Sequence, residues 1–465
     1  MNEVSTKPRA IWGSKVAFIL AATGSAIGLG NIWRFPMMVG RYGGAVFVLV
    51  YVLAVALIGF TVMLAELAIG RHTQRNPVGA FEHIKPGTAW KAIGYLGVVT
   101  AVAILSYYSV VAGWAIGYLV KTAGGAFRSL GGAEAAAAAS RAFDSFVANP
   151  FQMIALLLAM IGATSYIVSR GVREGIERWS KILMPLLLLI VVILAVRALT
   201  LPGAGQGVRF YLVPRVEGWI LGFIPKIQGL NGTAILFAVG QAFFSLSLGL
   251  GTMLTYGSYI RKSDNLVTSA AWVSFSDTLI AFLAGIIIFP TLFAIPGIAP
   301  TEGPALVFKV LPLIFSKIPL GQVFGLLFFV LLILAALTST ISILEVPVAY
   351  LVDEKKWSRG RAAWLVGLLA FVLGIPSALS AGGSGLFTRL RVQHWMDFGF
   401  GSIALAVGAL LIAVFTGFVW KAKNAAQEIR SGAPRFHLEK AWSLAIKFLA
   451  PAVILIILVF TIISG

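Results

Sequence analysis

Long apolar runs, separated by short polar and basic segments, recur from one end of the chain to the other. Each run, at roughly 18 to 30 residues, is long enough to cross a hydrocarbon core about 30 Å thick as a helix. The short alternating strands of a membrane barrel are missing from the pattern. Segments 12–39, 43–72, 89–123, 151–169, 176–200, 230–260, 266–294, 319–354, 360–378, 395–421 and 440–463 are therefore expected as eleven transmembrane helices of an all-α integral membrane protein. The Gly/Ala-rich stretch 124–149 and the polar stretch 201–229 read as extracellular connections with room for short helices. Residues 296–318, carrying Pro296, Pro300, Pro304 and Pro312, read as a surface loop. No soluble domain is expected, and residues 1–465 form a single transmembrane unit.

Two glycine-rich interruptions break this pattern in corresponding places. The first run contains Gly24-Ser25-Ala26-Ile27-Gly28-Leu29-Gly30-Asn31, and the sixth contains Phe244-Ser245-Leu246-Ser247-Leu248-Gly249-Leu250-Gly251. A lone glycine in a membrane helix is ordinarily a close-packing residue. Two matched interruptions, five helices apart, instead point to an inverted-repeat transporter with its site near the membrane midplane. Unwinding a helix frees N–H and C=O groups that hydrocarbon cannot satisfy, so the break persists only where protein, water, ion or substrate supplies partners. Freed N–H groups at a half-helix N-terminus suit a carboxylate, and freed carbonyls suit Na⁺.

Composition supports lipid as the main solvent: 59% of residues are hydrophobic and 11% charged, against roughly 25% charged in a soluble domain. The net charge of +19 does not indicate nucleic acid, because the basic residues are not gathered on one stripe. Reading the N-terminus as cytoplasmic puts Arg71, Arg75, Lys85, Arg170, Arg173, Lys355, Lys356, Lys421 and Lys423 inside, as the positive-inside rule expects. The chain has no cysteine, which excludes disulfides and thiolate metal sites. Lys7, Arg9 and Lys15 precede the first apolar run as in a signal peptide, but the run continues too far for one and reads as a retained first helix.

From residue 9 to about 420 the chain resembles a bacterial member of the neurotransmitter:sodium symporter family, with eleven spans where many members have twelve. The resemblance is carried by Gly24 through Pro36 (GSAIGLGNIWRFP), Glu66-Leu67-Ala68-Ile69-Gly70-Arg71, Gly240 through Gly249 (GQAFFSLSLG) and Leu337-Thr338-Ser339. It implies a 5+5 inverted repeat, helices 1–5 in residues 9–200 and helices 6–10 in 230–421, with helices 1 and 6 discontinuous and 440–463 as helix 11. It also implies a multi-pass protein of the bacterial inner (plasma) membrane. By this resemblance one Na⁺ is held by Ala26, Asn31, Ser245 and Asp277, and a second by Gly24, Ile27, Ala335, Thr338 and Ser339. All of these offer hard oxygen ligands. Thr-Ser in a membrane helix is otherwise a common local hydrogen-bonder to its own backbone. Asp277 is an intramembrane ionisable group, costly enough to imply function. In members that need chloride, a serine of this helix lines the anion site. Ala281 takes that serine's place here, one turn from Asp277, so a fixed carboxylate replaces the anion and chloride is not required. Glu66 is expected to brace the unwound first helix. Glu345 has no family role assigned; a packing hydrogen bond and a proton-carrying role both stay open.

The resemblance places the substrate among Ala26, Gly28, Gly30, Ile104, Tyr108, Phe244, Ser245, Ser247, Leu250, Ser339 and Ile343, a mainly apolar wall with a few polar groups. Tyr108 would bond the substrate carboxylate and Phe244 would lid the pocket. Monoamine members carry an aspartate at the position of Gly28, so a neutral amino acid bringing its own carboxylate, with an apolar side chain, is favoured here. Arg34 and Asp397, with Gln241 beside them, would form the extracellular gate, directly or through water. Arg9 and Asp353, supported by Trp12, Ser258 and Tyr259, would latch the inner side. Enzyme chemistry is disfavoured, since His72, His83, His394 and His437 fall in or near loops. A channel would more often show a repeated pore ring. An amino-acid sensor that binds without transporting stays open, as does oligomeric state.

Overall fold

The computed structural model describes residues 10–127, 135–220, 224–294, 306–433 and 436–464. Among them, nine helices are long and apolar enough to cross a membrane: Ala45–Thr73, Ala89–Ala123, Pro150–Ser169, Val172–Leu199, Leu266–Phe293, Gly321–Lys355, Arg359–Leu379, Val392–Val419 and Glu439–Ile463. A tenth crossing is the pair Lys15–Ala26 and Gly30–Arg41, bent by 52° at their junction. The short apolar helix Gly232–Ser245 is followed by residues 246–251 without regular helix and then by Thr252–Gly257. Both interruptions expected from the glycine pattern are thus present as breaks in the backbone.

Local chemistry sets these boundaries. Ser14 caps the first helix by accepting from the Ala17 amide, and Ile27 leaves it in an extended conformation (φ −74°, ψ 108°). Asn231 caps the sixth by accepting from the Ala234 amide. In the second break, Gly249 (φ +80°) and Gly251 (φ +83°) occupy backbone space that a side chain disfavours. The helices Ala89–Ala123 and Gly321–Lys355 lie mostly inside the protein. The outermost crossing, Glu439–Ile463, presents Ile456, Ile462 and Ile463 outward to what the reading takes as lipid.

Three connections differ from their expected form. Residues 201–229 hold the helix Ala204–Leu212 and an antiparallel hairpin, Val216–Ile220 against Ile224–Ile227, so the fold is not purely helical. The β-branched and aromatic residues of that hairpin, interrupted by Gly218, favour an extended chain over a helix. Residues 306–317, expected as a surface loop, form two consecutive helical turns that bury Val307, Phe308, Leu311, Ile314 and Phe315. Pro312 does not end the second of them because it sits in the first turn, where no amide partner is needed. Residues 296–305 lie outside the described part. The segment after Val392–Val419 forms the helix Ala422–Ser431.

That last helix is pinned on the side of the molecule that carries residues 10–14. Arg71, fully buried, donates to Glu428 Oε1 at 2.8 Å, to the Asp264 carbonyl at 2.6 Å, to Ser431 Oγ at 3.0 Å and to the Glu428 carbonyl. His72 Nδ1 lies 3.1 Å from the other Glu428 oxygen. Burial alone would raise the Glu428 carboxyl, but the His72 hydrogen bond and the Arg71 guanidinium outweigh it and hold it at about 2. A carboxyl whose folded pKa lies below its unfolded value adds stability above the unfolded value and loses it as pH falls towards the folded one. The thermal midpoint is therefore expected to fall between about pH 4.5 and pH 2, in a step that the Glu428→Gln variant lacks. A variant with the same acid profile as the parent would contradict this.

Candidate functional site

The two breaks lie side by side and are cross-linked by their own polar groups. Ser247, held at φ +54°, donates through its hydroxyl to the Ser25 carbonyl at 3.1 Å. Ser339, from Gly321–Lys355, sits within hydrogen-bond distance of the Ser25 carbonyl (3.3 Å) and the Ile27 carbonyl (3.2 Å). Within the first break the Gly28 amide donates to Asn31 Oδ1 at 3.0 Å. The second is braced from outside, where the Gly249 amide donates to Glu66 Oε1 at 2.8 Å. Glu66 thus holds the sixth helix, not the first as expected, because the freed amide at Gly249 is the donor that faces it.

Asp277 is completely buried and is the centre of a hydrogen-bonded cluster drawn from both broken helices. Asn31 Nδ2 donates to Asp277 Oδ1 at 2.7 Å and to Ser245 Oγ at 2.9 Å, and Ser245 Oγ lies 2.9 Å from each carboxylate oxygen. A fourth member escaped the sequence reading: Tyr51 donates to Asp277 Oδ2 at 3.1 Å and lies 3.2 Å from Ser245. Its only sequence signal is a hydroxyl in an otherwise apolar run, which usually marks core. Among the described residues no cluster of three or more His, Cys, Asp or Glu side chains exists. One carboxylate surrounded by hydroxyl, amide and carbonyl oxygens fits a monovalent hard cation better than a transition metal.

The second proposed ion set is also brought together. Thr338 Oγ1 lies 3.0 Å from the Ala335 carbonyl, and its Cβ is 3.2 Å from the point where a side chain on Gly24 would begin. Ile27 joins this group through its contact with Ser339. The hydroxyl of Thr23 beside it and that of Ser25 are buried without hydrogen-bond partners. Unpaired buried oxygens are costly and mark places where a ligand or water is needed.

A small cavity of about 40 Å³ touches both sets, at Ala26 and Ser245 of the first and Ser339 of the second. Ala26, Gly28, Gly30, Ile104, Tyr108, Phe244, Ser245, Ser247, Leu250, Ser339 and Ile343 all line it, together with Ser25 and Leu405, which the sequence reading did not include. The Tyr108 hydroxyl accepts the Leu29 amide at 2.9 Å and is also hydrogen-bonded to Ser339 beside the cavity.

Outside this cavity lies a much larger one, about 450 Å³, lined by Arg34, Asp397, Tyr107, Phe244, Gln393 and others. Arg34 and Asp397 face it without a direct ion pair: the Arg34 guanidinium instead covers the Phe244 ring, 4.4 Å from its centroid. Gln241 donates to the Gly30 carbonyl at 3.0 Å. The opposite side is shut. The Trp12 amide donates to the Tyr259 carbonyl and its indole to the Tyr256 carbonyl, both at 3.0 Å, and its ring meets Tyr256 and Tyr259 edge-on. Glu177 accepts the Gly13 amide at 2.9 Å, and Arg173 donates to the Ile11 carbonyl at 2.9 Å. Ser258 donates back to the Thr255 carbonyl, and Asp353 accepts the Asn76 amide at 3.0 Å. Arg9 lies outside the described residues. Glu345 accepts the Tyr259 hydroxyl at 2.6 Å and pairs with Arg359.

The molecule is therefore open towards the Arg34 side and closed at Trp12. Trp12→Ala removes a fully buried indole, a loss on the order of 3–5 kcal/mol. With no native cysteine present, a single cysteine at buried Thr23 reports the closure. Its labelling in detergent is expected to accelerate on the order of 100-fold in the Trp12→Ala background. An unchanged rate would mean that Trp12 is not what closes this side.

Comparison with known proteins adds independent findings. A sequence profile described as "Sodium:neurotransmitter symporter family" matches residues 9–127 and 140–465. The chain is 39% identical over 455 residues to an uncharacterized sodium-dependent transporter of Bacillus subtilis (strain 168), with 96% of each chain covered. It is 30% identical over 432 residues to the sodium-dependent serotonin transporter of Drosophila melanogaster, covering 84% of this chain and 67% of that one. The crystal structure of MhsT in complex with L-phenylalanine is similar with a TM-score of 0.86 at 43% identity, covering 98% of this chain and 100% of that one.

Proposed function

This chain belongs to the sodium:neurotransmitter symporter family, whose members are sodium-dependent transporters and not enzymes, and we propose that it imports a neutral, apolar amino acid with two Na⁺ and without chloride. The observation that carries this reading is the fully buried carboxylate of Asp277, joined to side chains from both broken helices. In this reading the crossing interrupted at 246–251 completes eleven spans. Residues 9–200 and 230–421 are the two inverted halves, and the N-terminus is cytoplasmic in a bacterial plasma membrane.

Ala26, Asn31, Ser245 and Asp277 bind one ion, the carbonyls of Gly24, Ile27 and Ala335 with Thr338 and Ser339 the other. The Asp277 charge stands where chloride would otherwise balance the cation. The substrate carboxylate meets the Tyr108 hydroxyl and the first ion, and the substrate side chain lies among Ile104, Leu250, Leu405 and Ile343. The phenylalanine in the similar MhsT crystal supports an apolar substrate. Transport then proceeds by alternating access. Phe244 and the Arg34–Asp397 gate close over the substrate, after which the latch at Trp12, Tyr259 and Asp353 releases.

Equilibrium binding of labelled phenylalanine to the purified protein tests the site. Binding is expected to require Na⁺, to ignore chloride, and to be displaced by neutral apolar amino acids. Phenethylamine, which lacks the carboxylate, is expected to compete at least about 100-fold more weakly, the loss of a charge-assisted contact. Equal competition by the amine would overturn the assignment of the carboxylate.

A further inference from the structure

Residues 246–251 form one wall of the cavity, to which they contribute Ser247 and Leu250. The back of this segment rests on two glycines that do not line the cavity. A Cβ added at Gly97, on Ala89–Ala123, would fall 2.9 Å from the Leu250 carbonyl oxygen and 3.4 Å from its carbon. A Cβ added at Gly408, on Val392–Val419, would fall 3.0 Å from the Gly249 carbonyl carbon and 3.3 Å from its Cα, and closer still to the oxygen. Gly249 fits as tightly in return: a Cβ there would lie 2.7 Å from the Ala409 amide. The Gly249 amide is held by Glu66 on another side.

All these neighbours are backbone atoms, which no rotamer change can move aside. The segment also borders the open space of the cavity, through Ser247 and Leu250. Each glycine also shares a helix face with a cavity residue: Ile104 lies two turns after Gly97, and Leu405 one turn before Gly408.

We propose that Gly97 and Gly408 determine which side-chain size the cavity accepts, by setting how far back the segment 246–251 can sit. The proposal rests on the amino-acid reading above. A methyl at either position pushes Ser247 and Leu250 into the cavity, excluding large side chains.

The test measures Na⁺-driven uptake of phenylalanine and of alanine by the full-length protein in proteoliposomes, for the parent, Gly408→Ala and, independently, Gly97→Ala. The ratio of KM for phenylalanine to KM for alanine is expected to rise at least about tenfold in each variant, the scale at which a pocket discriminates one methylene. Alanine uptake is expected to remain Na⁺-dependent. Leu250→Ala added to Gly408→Ala should return the ratio towards the parent value, which a merely structural lesion would not allow. An unchanged ratio in both single variants, with the parent active, overturns this proposal and leaves the amino-acid reading intact. Failure of both to fold would equally overturn it, since the glycines would then serve assembly and not selection. A parent inactive towards every amino acid defeats the underlying reading instead, and this proposal with it.

Discussion

Replacing Asp277 with asparagine is expected to lower chloride-free uptake by at least about 100-fold, because stripping one partner from a buried charge site costs on the order of 3–5 kcal/mol. The substitution keeps the shape of the side chain but removes the charge and turns one of the two oxygens that accept from Asn31, Ser245 and Tyr51 into an NH2 donor. In the proposed site that charge balances a cation inside the protein, where water cannot. Adding Ala281→Ser to this variant places a hydroxyl one turn away on the same buried face. The double variant is then expected to recover uptake only when chloride is present. Flux in the single variant that matches the parent without chloride would remove Asp277 from the ion site.

The second large effect is expected at Gly28. A Cβ there would fall 2.6 Å from Ser339 Oγ and 2.8 Å from the Tyr108 hydroxyl. Gly28→Asp therefore both fills the space of a substrate carboxylate and sets a like charge against it. Amino-acid affinity is expected to fall by at least about 100-fold. Gly28→Ala adds only the steric part, an overpacking cost of about 1–3 kcal/mol, and is expected to lose about tenfold. Equilibrium binding with labelled phenylalanine separates the two. Equal losses in both would show that crowding alone acts at this position, and that no carboxylate lies there.

Much of this arrangement is legible in the sequence. The apolar runs gave the crossings because lipid allows few alternatives to a long helix, and the paired glycines marked both breaks. Other features depended on tertiary contacts that no local pattern encodes. Tyr51 looks like any core tyrosine until Asp277 arrives from a distant helix. Glu66 could brace either break, and only the position of the Gly249 amide decides. The buried turns at 306–317 were hidden by prolines, which read as breakers although Pro312 stands where a helix tolerates it. The helix Ala422–Ser431 was missed for a different reason. Its buried Ala422, Ala425, Ala426 and Ile429 follow a helical spacing that its polar, basic composition obscured. The outer gate depends on conformation: Arg34 lies on Phe244 in this open state, and sequence carries no record of which state is populated.

The central claim is coupling of amino-acid movement to the sodium gradient, and one measurement meets it directly. Purified protein in chloride-free proteoliposomes is given a labelled neutral amino acid at equal concentration on both sides, with Na⁺ imposed on the outside only. The account predicts transient accumulation of the label inside, abolished when the Na⁺ gradient is collapsed. Binding with no accumulation would mark a sensor in place of a symporter, and accumulation indifferent to Na⁺ would contradict the account outright.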